Sequence, residues 1–151
     1  MPKKSAGILF YRFKNKTPEV LLIHPGGPFW RSKDNGAWSI PKGEMEENES
    51  MLVAAKREVK EELGIEAIGE LKELSPVKQK SGKIIYCWAS QQDIDISDIR
   101  SNYFELEWPP KSGVKQKFPE VDQAQWFTIE LAMDKIIPGQ RLIIEQLIKY
   151  L

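Results

Sequence analysis

The segment Gly43–Ile65, GEMEENESMLVAAKREVKEELGI, constrains this chain more than any other stretch, because it sets a glycine turn and an acidic loop directly against a helix. Leu52, Ala55, Val59 and Leu63 recur at three- and four-residue spacing, which predicts a helix over Ser50–Leu63 with one face packed on other structure. Asn48 or Ser50 can cap its start, and Gly64 stands where a left-handed terminating residue belongs. At roughly 3.6 residues per turn, Glu58 and Glu62 lie one turn apart, and Glu61 lies on the same side about 60° from Glu58. The three carboxylates share a patch at the border of the apolar stripe, so the helix can dock while its acids line the edge of the contact.

Like charges at this spacing repel by a few tenths of a kcal/mol per pair, and a cation reverses the sign. Hard divalent ions prefer carboxylate and carbonyl oxygens, and a glycine at 43 lets its backbone carbonyl come close to such an ion. The pattern therefore reads as a carboxylate metal site at a loop–helix junction, suited to phosphoanhydride chemistry. Taken alone, KREVKEEL also reads as a solvated helix face on which Lys56, Arg57 and Lys60 balance the acids.

Around this segment the chain alternates strand and helix signals. Ser5–Phe13 and Glu19–His24 read as paired strands separated by the polar turn Lys14–Pro18. Pro25–Gly36 is a glycine-rich loop, followed by a short strand at Ala37–Ile40 that Pro41-Lys42-Gly43 ends. Further strands are expected at Glu66–Leu74, Lys83–Ser90, Tyr103–Trp108 and Gln125–Phe127, with helices at Glu130–Ile136 and Gly139–Leu151. That order predicts an α/β (α+β) domain layered as α/β/α around a mixed sheet. At 151 residues one domain over 1–151 is expected, and a 41% apolar fraction is enough to fill its core.

Charge excludes some partners. Twenty-two basic and 22 acidic residues cancel, so no global field draws the chain to nucleic acid or to a membrane. No apolar stretch approaches the roughly 20 residues that span a bilayer, and Met1-Pro2-Lys3-Lys4 lacks the apolar region of a signal peptide. The single cysteine, Cys87, lies in an apolar run and reads as a buried, inert thiol, which suits a cytoplasmic protein.

The longer pattern carries a resemblance. Gly43, Glu49, Arg57, Glu58, Val59, Glu61, Glu62, Gly64 and Ile65 match every fixed or aliphatic position of the Nudix box, and one window does so by chance on the order of once in a billion. The chain thus resembles the Nudix hydrolases, which are α/β/α sandwiches. The resemblance implies that Glu58, Glu61, Glu62 and the Gly43 carbonyl hold Mg²⁺ or Mn²⁺, with Glu49 and Arg57 supporting the loop–helix unit. It further implies metal-assisted attack of water on a phosphoanhydride, with the general base drawn from the box or from a later loop. Glu120, in Phe118-Pro119-Glu120-Val121-Asp122, occupies such a loop, and Asp122 is its nearest rival.

Substrate residues carry weaker signals. Trp38-Ser39-Ile40-Pro41-Lys42-Gly43 is similar to the start of the box in diadenosine-polyphosphate hydrolases, which implies a nucleoside-polyphosphate substrate, in one form a dinucleoside polyphosphate. Modified nucleoside triphosphates, and a nucleotide-binding module without catalysis, are the alternatives. Lys42 can reach a phosphate, with Lys78, Lys80, Lys83, Lys115 and Lys117 extending a basic rim. Trp30, Trp38, Tyr86, Phe104 and Trp108 are candidates for contact with the nucleoside. His24, the only histidine, closes the second strand and reads as a local hydrogen-bonding residue. The expected partner is a small nucleotide or polyphosphate, met by a monomer or homodimer.

Overall fold

The computed structural model describes residues 3–151, so Met1 and Pro2 lie outside the described residues. Strands β1 (Lys4–Lys14) and β2 (Thr17–Pro25) form an antiparallel hairpin, as their alternating apolar runs require. After β3 (Lys42–Glu44) and helix α1 (Met51–Leu63) come the short strands β4 (Lys72–Glu73) and β5 (Val77–Lys78), then β6 (Ile84–Gln91). Strands β7 (Tyr103–Glu107), β8 (Lys115–Pro119) and β9 (Val121–Thr128) follow, with α2 (Ile129–Lys135) and α3 (Arg141–Ile148) last.

The main sheet runs β4-β6-β1-β2-β9, with β3 added to β1 and β5 to β6. It is mixed, because β1 and β6 pair in parallel while the other pairs are antiparallel. Strand β1 is buried on both faces, and the two-residue period of the pleat divides its run between two cores. Ala6, Ile8 and Phe10 pack with Leu21, Ala55, Val59 and Leu63 on the α1 side. Leu9 packs with Val20, Leu22, Phe127, Ile143 and Leu147 on the side of α2 and α3. The result is the expected α/β/α layering around a mixed sheet.

Ser50 caps α1 by accepting the Val53 N–H on its hydroxyl at 3.2 Å, and Gly64 ends the helix at φ 69°, in the left-handed region. Leu52, expected on the apolar stripe, is 36% exposed, and Ala54 takes its place in the contact. Cys87 is buried, and burial pushes its thiol up to about 12.

Several boundaries differ from the sequence reading. Ala37–Ile40 makes only isolated bridges, Ser39 with Ile23 and Trp38 with Ile136, whereas the ladder begins at Lys42, where the strand was expected to end. The cause lies on β1: Gly7 has no Cβ, and one there would collide with the Pro41 carbonyl that this stretch brings close. The expected strand Glu66–Leu74 shrinks to Lys72–Glu73, because the Gln92 side chain bonds Ile68 N–H and the Glu66 carbonyl in place of a neighbouring strand. Strand β8 was not expected at all, since KQKFP is a weak strand sequence. It pairs with β7 in a separate two-stranded sheet. Strand β9 is longer than Gln125–Phe127, and a 3₁₀ turn at Pro138–Gln140 precedes α3. Among the described residues no helix is long and apolar enough to cross a membrane.

Candidate active site

The site starts from β3, which pairs Gly43 with Ala6 and Lys42 with Gly7. A Cβ at 43 would collide with the Glu58 carboxylate, so only glycine lets the turn and the helix approach this closely. From the same turn the Lys42 N–H donates to Glu62 Oε2 at 3.1 Å.

Arg57 organises the exposed side of the unit. Its Nε and Nη2 donate to the two oxygens of Glu49 at 2.7 and 2.9 Å, a bidentate fork that closes the acidic loop on to the helix. The same guanidinium reaches Glu58 Oε1 at 2.8 Å, Glu61 Oε2 at 3.2 Å and the Glu44 carbonyl at 3.2 Å. Glu49 also accepts the Glu46 N–H at 3.0 Å. These hydrogen bonds, Arg57 first, hold the Glu49 carboxyl down to about 2.

The buried side behaves oppositely. Burial, helped by the nearby charges of Glu58 and Glu120, pushes Glu62 up to about 8 against the pull of Lys42. Glu58 is also raised, again chiefly by burial. Lys42 is lowered by burial first and by the neighbouring charge of Lys83 second.

Glu62, Lys42, Glu120 and Trp30 line one cavity of about 180 Å³, floored by Ser39 and Ile40. Glu120 stands exposed at its rim, in the bend between β8 and β9. Glu58 lies behind Gly43, within electrostatic reach of Glu120. Glu61 lies on the exposed side, its side chain 46% exposed, and shares Arg57 Nη1 with Glu58. Glu58 links the three carboxylates of the helix, sharing Arg57 Nη1 with Glu61 and acting electrostatically on Glu62, although among the described residues no three His, Cys, Asp or Glu side chains form a ready metal cluster.

The other candidates scatter. Trp38 is 4% exposed, wedged edge-on between His24 and Phe127, and its indole N–H donates to Asp34 at 2.8 Å. That packing leaves little of the ring exposed for the substrate contact expected of this residue. It borders a second cleft of about 730 Å³, with His24 and Asp122, which the cavity holding Glu62 does not include. Tyr86 is half-buried on the α1 side, beside Ala6 in the ladder, and lies outside both cavities. Phe104 rests against Gly27, and Trp108 packs edge-on to the exposed Phe29. Lys115 and Lys117 pair across the β7–β8 ladder with Glu107 and Glu105.

One contributor gave no signal in the sequence. Gln140 is fully buried, and its Oε1 accepts the Ile40 N–H at 3.1 Å while its Nε2 donates to the Ser39 hydroxyl at 3.0 Å. The side chain thereby fixes the cavity floor from far along the chain, where no local pattern could point to it.

Known proteins share this fold. The chain is 29% identical over 147 residues to an RNA pyrophosphohydrolase of Bartonella henselae, covering 85% of this chain and 77% of the relative. It is 29% identical over 102 residues to Nudix hydrolase 7 of Arabidopsis thaliana, covering 62% of this chain and 35% of that one. The chain spans about a third of the length of most of the curated relatives it matches. In fold it is similar to a Caenorhabditis elegans Ap4A hydrolase solved as a binary complex, with a TM-score of 0.68 at 21% identity, covering 98% of this chain and 96% of the other. The family model of the NUDIX domain matches residues 1–147, and the chain belongs to that family.

Proposed function

We propose that this chain hydrolyses a phosphoanhydride bond in a nucleoside polyphosphate, using Mg²⁺ or Mn²⁺ held by Glu58, Glu62 and the Gly43 carbonyl. The observation that carries the reading is the burial of Glu58 and Glu62, which raises their hold on a proton beside a cavity that also contains Lys42 and Glu120. Carboxylates buried without full compensation call for a cation, and a donor set made only of oxygens suits a hard one. The bare position at 43 leaves room for the Glu58 carboxylate at that place. When bound, the ion neutralises phosphate oxygens and lowers the pKa of water.

The chain's own groups supply the rest. Lys42 meets the phosphates as a point charge, and Lys83, whose charge already acts on it, extends the same basic edge. Glu120, at the rim, accepts a proton from the attacking water. Trp30 offers an aromatic face to the base. Glu49 and Arg57 keep the acidic loop closed, and Glu61 joins from the Arg57 side. For the substrate we propose a dinucleoside polyphosphate, supported by the Trp38–Gly43 segment and consistent with the fold of the Ap4A hydrolase.

The test is product release from diadenosine tetraphosphate, nucleoside triphosphates, a nucleotide sugar and ADP-ribose, with Mg²⁺, Mn²⁺ or a chelator. Cleavage of the dinucleotide that the chelator abolishes is expected, and Glu62→Gln lowers kcat by about a thousandfold without changing the circular dichroism. Cleavage confined to triphosphates moves the substrate assignment to them. Undiminished turnover in chelator, or in Glu62→Gln, overturns the metal site.

A further inference from the structure

We infer that His24 is a positioning residue for Glu120, acting through a β-bulge at Asp122; the inference rests on the role of Glu120 proposed above. The imidazole is 6% exposed at the end of β2, edge-on to Trp38 at 5.1 Å. It does not line the cavity that holds Glu62. Its Nε2 donates to the Lys33 carbonyl at 2.6 Å, and its Nδ1 lies 2.9 Å from Asp122 Oδ1. One ring therefore joins two segments. Lys33 belongs to the loop that carries Trp30, and Asp122 lies two residues beyond Glu120.

The ladder shows why this contact matters. His24 pairs with Gln123 and Pro25 with Val121, so Asp122 is the extra residue of a bulge in β9. A bulge bends its strand and re-aims the neighbouring side chains. Here it delivers the Glu120 backbone to two partners: Gly26 N–H donates to the Glu120 carbonyl at 2.9 Å, and Glu120 N–H donates to the Asn102 carbonyl at 2.8 Å. Gly26 permits this approach, because a Cβ there would collide with the Pro119 carbonyl. A bulge residue has no ladder partner to hold it, and the Asp122 side chain finds its anchor in His24. The lone histidine thus fixes where the strand turns, and with it where the Glu120 carboxylate points.

The experiment compares His24→Gln in the wild-type and Glu120→Gln backgrounds, reading kcat and KM for diadenosine tetraphosphate with Mg²⁺, and hydrogen exchange at the Gly26 amide. A displaced reacting group costs turnover more than binding, so kcat falls about ten- to a hundredfold while KM stays within about twofold. In the Glu120→Gln background the same substitution lowers kcat by less than about twofold, because the group it positions is already disabled. The Gly26 amide exchanges about tenfold faster, while Ile8, bonded to Pro41 across the site, is unchanged. Asp122→Asn, which leaves the histidine in place, repeats the pattern more weakly and serves if His24→Gln does not fold. A full-sized loss in the Glu120→Gln background, or unchanged exchange at Gly26, overturns the inference. A wild type that cleaves none of the probe counts against the proposed reaction, whereas the Gly26 exchange still decides the role of His24.

Discussion

The two walls of the cavity are built in opposite ways. The wall that carries Glu58 and Glu62 comes from one contiguous loop and helix, tied by the Arg57–Glu49 fork and by Lys42 on Glu62. The wall that carries Glu120 is assembled from separate segments, held by backbone bonds from Gly26 and to Asn102 and by Ser101, whose hydroxyl accepts the Val121 N–H at 2.9 Å. The first wall is stabilised by charge, the second by backbone register. The proposed metal site needs carboxylates kept close against their mutual repulsion, which a single helix and one arginine can do. The base proposed at the rim needs only a direction, and a bent strand supplies it.

This contrast can be broken by substitution. Gly43→Ala should have the largest effect, because the new methyl group meets the Glu58 carboxylate and must push it aside. Mn²⁺ affinity and turnover are expected to fall about a hundredfold, read by metal titration and kcat, while the Glu120 wall keeps its hydrogen-exchange protection. Wild-type affinity in that variant would mean that the turn and helix separate without loss.

A pH titration sharpens the comparison within the first wall. Glu62 is raised from 4.5 to about 8, so without metal the folded state is penalised as the carboxyl ionises. In chelator, thermal stability should decline as pH rises from about 4.5 towards 8, and Mg²⁺ should flatten the decline by a few degrees in midpoint. Glu49, lowered from 4.5 to about 2, acts with the other sign. Its contribution is present above about 4.5 and is lost as pH falls through about 2. A metal-free protein equally stable at pH 5 and pH 8 would show that Glu62 is not held at a cost.

The smallest effect is expected at Ser50→Ala, which removes the cap of α1 and should lower stability by about 1 kcal/mol in urea unfolding. Turnover per folded molecule should not change. A large loss of kcat would mean that the helix end, rather than the turn at 43, sets the carboxylates.

Most of the first wall was legible in the sequence, and the reason is physical. The periodicity of Ala55, Val59 and Leu63, the cap at Ser50 and the stop at Gly64 all act within a few residues of one another. The strands β1, β2 and β6 were legible because burial on both faces demands apolar runs. The second wall was not. Strand β8 is rich in lysine because it is an exposed strand of a two-stranded sheet, and its partner β7 supplies the opposing glutamates. Asp122 looked like a rival to Glu120 because the two are near neighbours in sequence, but the bulge turns one to the cavity and the other to His24. Trp38 was a candidate for contact with the nucleoside, but Ala37–Ile40 makes only isolated bridges and the indole is packed between His24 and Phe127.

The Gln140 side chain has a consequence for how the protein comes into being. Synthesis is vectorial, and Ile40 leaves the ribosome a hundred residues ahead of the amide that satisfies it. Until that amide arrives, the Ile40 N–H and the Ser39 hydroxyl that shape the cavity floor lack their buried partner. The cavity floor is therefore among the last parts of the fold to be completed, after β9 and α2 have been laid down and the turn at Pro138–Gln140 folds back.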